Sequence, residues 1–434
     1  MENNKQFSLK TKLLADYDLA NDQDFVSGKR IADRLDQLSK INLTENFGSN
    51  RPGYSEGEQA AKKLVAKWME EAGLTVKFDG AGNVIGRLAG KDDDLPAILT
   101  GSHVDSVPNG GHFDGVLGVI SALEVVEAWK ASGYTPEKPL EIIVFADEEG
   151  ARFNSGLTGS EAIMNVYDME QLLQKKDTAG QTFAEVLASN ELSIESYQAA
   201  ARNVDEMEMF VELHIEQGAR LEEKGLPVGV VSGIAGPSWL QFTFIGKADH
   251  AGNTPMPNRQ DALVAASEFI QKVSKLPEQI NDSAVATVGK LKVSPNGVNV
   301  IPGEVELYVD IRDIYEETRD ELIDRIVATG KEVAQNHEVI VKHVENTRVK
   351  PIPIAEENQQ LLAETLKEFA IEPSYIPSGA GHDAMVLGLK IPVAMIFVRS
   401  KAGISHHPDE WTSLADCVIG VRVLKAFIEK LQTK

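Results

Sequence analysis

At 434 residues, 42% of them hydrophobic, the chain has material for two ordinary cores, and its 35 Gly and 18 Pro suit neither a disordered nor a fibrous protein. A formal charge of −23 argues against nucleic-acid and anionic-membrane partners, which need clustered Lys and Arg. A single cysteine, Cys417, excludes an intramolecular disulfide and a thiolate zinc site, so any metal must be held by His, Asp and Glu. No run approaches the roughly 18–20 apolar residues that cross a bilayer. The N-terminal run MENNKQFSLKTKLLADYDLANDQ lacks an apolar signal core, which makes the cytoplasm the default expectation. Cys417 itself sits in an apolar stretch (LADCVIGVRVL) and is expected to be buried.

Taken in chain order, Gly57–Ala72 has the amphipathic spacing of a helix and Ala97–Gly101 that of a buried strand. Val116–Trp129 follows as a helix and Leu140–Ala146 (LEIIVFA) as a second buried strand. This alternation predicts an α/β layer with a mainly parallel sheet. The stretch from Glu161 to Glu208, rich in Gln, Glu and Asp, reads as helical decoration. After Gly236 the pattern changes, and Trp239–Gly246 alternates as an antiparallel strand with one covered face does. A helix at Asp261–Lys275, strands near Ala284–Val293 and Glu304–Arg312, a helix at Glu316–Ala334 and a strand at Glu338–Val344 complete a β-α-β-β-α-β order, the ferredoxin-like α+β signature. A helix at Asn358–Phe369 and a strand at Val393–Val398 then resume the first pattern. The expected organisation is a discontinuous α/β domain, residues 1–235 and 347–434, with an inserted domain at 236–346.

Five segments carry residues suited to metal chemistry. In GSHVDS (Gly101–Ser106), His103 and Asp105 lie two apart at a strand end, so a carboxylate can fix the tautomer of a ligating imidazole; a satisfied loop histidine reads the same way. Asp114 lies in GGHFDGVLG at a helix entry, where it can cap the helix or, with both oxygens free, bridge two cations. The strand LEIIVFA runs into Asp147-Glu148-Glu149, where a parallel sheet presents its ligand crevice. Adjacent acids repel unless a cation or shared proton compensates, so one can ligate while its neighbour acts as general base; a solvated acidic turn is the alternative. Alternation in FVELHIEQG (Phe210–Gly218) puts Glu212, His214 and Glu216 on one face. Paired histidines close the set in GISHHPDE (Gly403–Glu410). Three His, one Asp and one Glu from separate segments, each near a strand end, suit a two-metal site. Its oxygen and imidazole ligands accommodate Zn²⁺, Mn²⁺, Co²⁺ or Ni²⁺ without choosing among them.

With the further blocks ADHAGNTPM, NVIPG, DIRD and SGAGHDA, nearly the whole chain resembles the M20 metallopeptidase superfamily, in its amidase, hydantoinase and carbamoylase branch. The resemblance implies one metal on His103, Asp114 and His214, a second on Asp114, Glu149 and His406, Glu148 as general base, and Asp105 orienting His103. It assigns substrate contacts to Gln217, His250, Asn299, Arg312, Gly381 and His382; His250, in a Gly-flanked loop, is also placed to stabilise the developing oxyanion if domain closure or a partner subunit delivers it. It further implies a catalytic domain carrying an inserted lid and dimerisation domain, a homodimer, and a small ureido carboxylate as substrate. Within the branch, cleavage of N-carbamoyl-L-amino acids is the expected activity. Allantoate hydrolysis, β-ureidopropionase activity, a peptidase and an inactive binding relative are the alternatives.

Overall fold

The strands beginning at Ala97 and Leu140 are rich in apolar residues, and both are buried along their whole length in the computed structural model, which describes residues 7–433. Two units emerge. The first runs to Val231 and resumes over Ile354–Ile376 and from His382; the second is Ser232–Pro353 with Pro377–Gly381.

In the first unit the strands are β1 (Thr75–Phe78), β2 (Val84–Leu88), β3 (Ala97–His103), β4 (Leu140–Phe145), β5 (Met207–Ile215) and the first half of β6 (Val228–Ile234), joined by the strand Val393–Val398. Their order is β1-β2-β4-β3-β5, then Val393–Val398, then β6. The four central strands β4, β3, β5 and Val393–Val398 are parallel. Antiparallel margins flank them: β1 and β2 on one side, and Val228–Val230 of β6 on the other. Parallel strands need both faces covered, which the helices supply. Helix Val116–Ser132 is apolar around most of its circumference, as a helix enclosed on all sides must be, and packs against β3, Gly28–Ser39 and Leu414–Leu431. Cys417 is fully buried in that last helix. The decoration after β4 resolves into four short helices, Thr158–Met164, Met169–Gln174, Phe183–Ser189 and Ile194–Ala199, with a small core of their own around Phe183 and Tyr197.

The second unit holds β7 (Gly236–Ile245), β8 (Val285–Ser294), β9 (Glu304–Asp313) and β10 (Ile340–Arg348) in the order β10-β7-β9-β8, every pair antiparallel. Alternation buries Leu240, Phe242 and Phe244 of β7 and Val305, Leu307, Val309 and Ile311 of β9 against helices Ala262–Val273 and Glu316–Asn336. This is the ferredoxin-like arrangement that the sequence pattern predicts. The unit begins at Ser232 and ends at Pro353 because Ile352 and Pro353 pair antiparallel with Ile234 and Gly233, extending it beyond both ends of the alternating segment. No helix among the described residues is long and apolar enough to cross a membrane.

Candidate metal centre and active site

Parallel strands bring their C-terminal ends to one edge, and three of them deliver the site. His103 is the last residue of β3, Asp147-Glu148-Glu149 follow β4, and His214 is the penultimate residue of β5. Asp114 stands at the entry to helix Val116–Ser132, beside Gly115 at φ +65°, where a Cβ would lie 2.4 Å from Nε2 of His103. Only glycine lets the helix start so close to that imidazole.

Asp114 is the junction of two donor sets, His103–Asp114–His214 and Asp114–Glu149–His406, each with one ligand atom per residue within 4.8 Å of the others. Its Oδ1 lies 3.1 Å from Nε2 of His214 and 3.8 Å from Nε2 of His103, while Oδ2 lies 3.1 Å from Nε2 of His406. The same nitrogen of His406 is 3.3 Å from Oε2 of Glu149. His407 turns away; it is exposed, and its Nδ1 accepts the N–H of Asp409. The far nitrogens of the buried imidazoles are occupied, Nδ1 of His103 by the carbonyl of Asp105 (3.2 Å) and Nδ1 of His214 by that of Ile215 (2.9 Å), so both Nε2 atoms face the site, that of His214 also lying 3.3 Å from the N–H of Gly115. A further grouping, Glu212–His214–His382, draws on the same His214. There Glu212 already accepts from the Ser102 hydroxyl and the Ala384 N–H, so it braces the strand ends.

Asp105 does more than face His103. Its Oδ1 and Oδ2 accept the N–H groups of Glu148 (3.2 Å) and Glu149 (3.1 Å), so one carboxylate fixes the imidazole and the acidic turn together. Glu58, in a fully buried pair with Lys62, accepts the N–H of Asp147. Asp147, Gln217 and His406 adopt φ of +50°, +53° and +55°. Each such backbone costs about 1–3 kcal/mol, and bonds of this kind hold it in place.

The electrostatics suit a cation. Burial, then the charge of Asp114, pushes the Glu149 carboxyl up to about 8. Burial also raises Glu148 well above its ordinary value, with Asp383 and Glu149 adding to the rise. Burial alone would lower His103, yet Glu148, Asp105 and Asp114 together hold it well above. The hydrogen bond to Asp114 lifts His406 to about 9. Oε1 of Glu149 is buried without a hydrogen-bond partner. Packed carboxylates, imidazoles aimed at them and an unpartnered oxygen are what oxygen- and nitrogen-preferring divalent ions require.

Of the residues assigned to substrate, Gln217 points its amide at Oδ2 of Asp114 (2.9 Å) and at the Ser405 hydroxyl (3.2 Å). His382 is 1% exposed, and its ring centroid is 4.5 Å from that of His214. In the second unit, His250 and Asn299 lie on two adjoining exposed loops, joined by the Ala251 N–H to the Asn299 carbonyl and by a bridge between His250 and Val300. Nδ1 of His250 accepts the N–H groups of Gly252 and Asn253, which leaves its proton on Nε2 as a free donor. Arg312 on β9 is clasped by Asp310 through Nε and Nη2 and donates from Nη1 to the carbonyl of Gly379; Gly381 is exposed nearby in sequence. Sequence reasoning passed over Glu410 and Ser405, although both lie in the GISHHPDE block. Buried Glu410 accepts the N–H of Asp114, and Ser405 reaches its carboxylate.

An α/β sheet whose strand ends converge acids and imidazoles on one shared carboxylate, with a further glutamate beside it, defines a metal-dependent hydrolase. The profile of peptidase family M20/M25/M40 matches residues 99–430, and the chain belongs to that family. It is 41% identical to an N-carbamoyl-L-amino acid amidohydrolase of Geobacillus stearothermophilus, over 92% of this chain and 97% of that protein. It is 34% identical to an allantoate amidohydrolase of Bacillus subtilis, again over 92% of this chain and 97% of that one. Among solved structures, an amidase of the hydantoinase/carbamoylase family from Burkholderia multivorans superposes with a TM-score of 0.88 at 33% identity, covering 94% of this chain and 98% of that one.

Proposed function

We propose that this chain hydrolyses N-carbamoyl-L-amino acids, adding one water and releasing the amino acid, ammonia and carbon dioxide. The observation that carries this reading is the meeting of two donor sets on Asp114 with Glu148 alongside, in a chain 41% identical to a protein of that activity. His103, Asp114 and His214 would hold one divalent ion and Asp114, Glu149 and His406 a second, with Zn²⁺, Mn²⁺, Co²⁺ or Ni²⁺ fitting the donors. Such ions acidify water and polarise the scissile carbonyl.

The chain's own residues do the rest. Glu148, 3.5 Å from Nε2 of His103, takes a proton from the attacking water and returns it to the leaving nitrogen, a role its raised affinity for protons supports. Asp105 keeps Glu148 and Glu149 in place through their backbones. His250 offers Nε2–H to the developing oxyanion. Arg312 binds the substrate carboxylate, with Asn299 adding a neutral hydrogen bond and Gln217, Gly381 and His382 shaping the ureido end. We place the enzyme in the cytoplasm as a homodimer through the second unit, where the edge strand β8 exposes Val285 and Leu291.

The test is ammonia release by metal-reconstituted protein across N-carbamoyl-L-amino acids, N-carbamoyl-β-alanine and allantoate, with dipeptides as a further arm. The highest kcat/KM is expected on an N-carbamoyl-L-amino acid. Allantoate in first place would transfer the assignment to the reading that the 34% relative favours, and turnover confined to dipeptides, or absent throughout, would remove it.

A further inference from the structure

Asp114 must offer one oxygen to each donor set, so its orientation decides both. Besides the Gln217 amide, what fixes it comes from the far end of the chain. Glu410 is 3% exposed; its Oε1 accepts the N–H groups of Phe113 (2.8 Å) and Asp114 (3.1 Å), and its Oε2 lies 2.8 Å from the hydroxyl of Ser405. Ser405 is 3.1 Å from Oδ2 of Asp114 and immediately precedes His406. One buried carboxylate thereby ties the Asp114 turn to the His406 loop. A Cβ on Gly111 would fall 2.0 Å from the carboxyl carbon and Oε1 of Glu410, so this glycine of the GGHFDG motif is the space the carboxylate occupies.

We propose that Glu410 is a positioning residue that sets cation affinity at the Asp114–Glu149–His406 set. The inference rests on the metal-site reading above. Its physical basis is an asymmetry between the sets. His103 and His214 are anchored in the ladders of β3 and β5, whereas His406 sits on a loop at φ +55° that is tied to the Asp114 turn by Ser405 and Glu410, with the Gln217 amide alongside. Losing Glu410 strands two buried N–H groups and releases that loop, while two ligands of the first set keep their places. Removing partners that orient metal ligands typically costs about 10–100-fold in affinity.

The experiment titrates metal-free protein with Zn²⁺ by calorimetry, against a competing chelator, for wild type, Glu410→Ala, Glu410→Gln and Gly111→Ala, with circular dichroism as the check on folding. Two binding steps are expected for wild type. In Glu410→Ala one step should weaken by about 10–100-fold and the other by no more than a few-fold. Glu410→Gln retains an oxygen for both N–H groups and should recover most of the loss, whereas Gly111→Ala, which pushes the carboxylate aside, should reproduce it. Two unaltered steps in Glu410→Ala and Gly111→Ala would overturn the inference, as would equal weakening of both steps with no recovery in Glu410→Gln. Wild-type protein that takes up no zinc would instead remove the metal-site reading itself.

Discussion

The two units hold their candidate residues in opposite ways. In the first, His103, Asp114 and His214 are buried, His103 and His214 are each bonded through the nitrogen that faces away from the site, and Asp105 grips the turn that carries two glutamates, while His406 is half exposed on its loop. In the second, His250, Asn299 and Gly381 are exposed, and Arg312 keeps nearly a third of its side chain in solvent while Asp310 steadies its guanidinium. A group that binds a cation needs its geometry before the ion arrives, because reorganising buried charges is costly. A group that recognises a solute must be reachable by it. On the proposed reading, the first unit then carries the metal donors and the general base, and the second carries the exposed groups that meet the substrate carboxylate and the oxyanion.

The sharpest way to break that division is Glu148→Gln. The amide keeps the shape but cannot take a proton, so kcat should fall by about 10³–10⁴, near the upper end for a general base, with zinc content unchanged by elemental analysis. Loss of zinc along with activity would make Glu148 a ligand and redraw the site. Next in size is Arg312→Ala, which removes a charged donor from the second unit. It should raise KM by about 10–100-fold, the worth of a hydrogen bond to a charged group, and change kcat far less. A fall in kcat with KM intact would place Arg312 on the catalytic side of the comparison.

How much of this was legible depends on whether local pattern or tertiary meeting carried the information. β3, β4 and Val393–Val398 are rich in apolar residues and buried along their whole length, and β7 and β9 alternate cleanly, so each declared itself. The hairpin β1–β2 did not, because β1 (TVKF) is a four-residue, mostly exposed margin with no apolar face to betray it. Every ligand could be nominated from its motif. Their pairing could not, since Asp114 meets Ser405 across 291 positions and Glu410 across 296, distances over which no local pattern operates. Resemblance to a known family supplied that pairing; in the structure His103, Asp114 and His214, and Asp114, Glu149 and His406, stand as two groups that could hold an ion. Glu410 lay within a quoted motif and was overlooked because an acid after His-His-Pro-Asp looks solvated until Phe113 and Asp114 are folded against it.

Burial alone does not make a site, and Glu161 supplies the control. It lies in helix Thr158–Met164 of the first unit, and burial, only partly offset by Lys175, raises its carboxyl to about 7. Its folded-state affinity for the proton exceeds that of the unfolded chain. The stabilisation this gives is therefore complete below about pH 4.5 and lost as pH rises toward 7, above which the buried charge is a standing penalty. Glu161→Gln removes the titration. For metal-free protein, thermal midpoints should coincide with wild type near pH 4.5 and exceed it at pH 8, by an amount reflecting on the order of 2 kcal/mol. Activity should remain, because no donor touches this residue. If the variant gains nothing at pH 8, Glu161 is adequately solvated as a charge. The raised proton affinities of Glu148 and Glu149 would then need their like-charged neighbours, more than burial, as the cause, and the distinction between a buried acid and a catalytic one would rest on charge crowding.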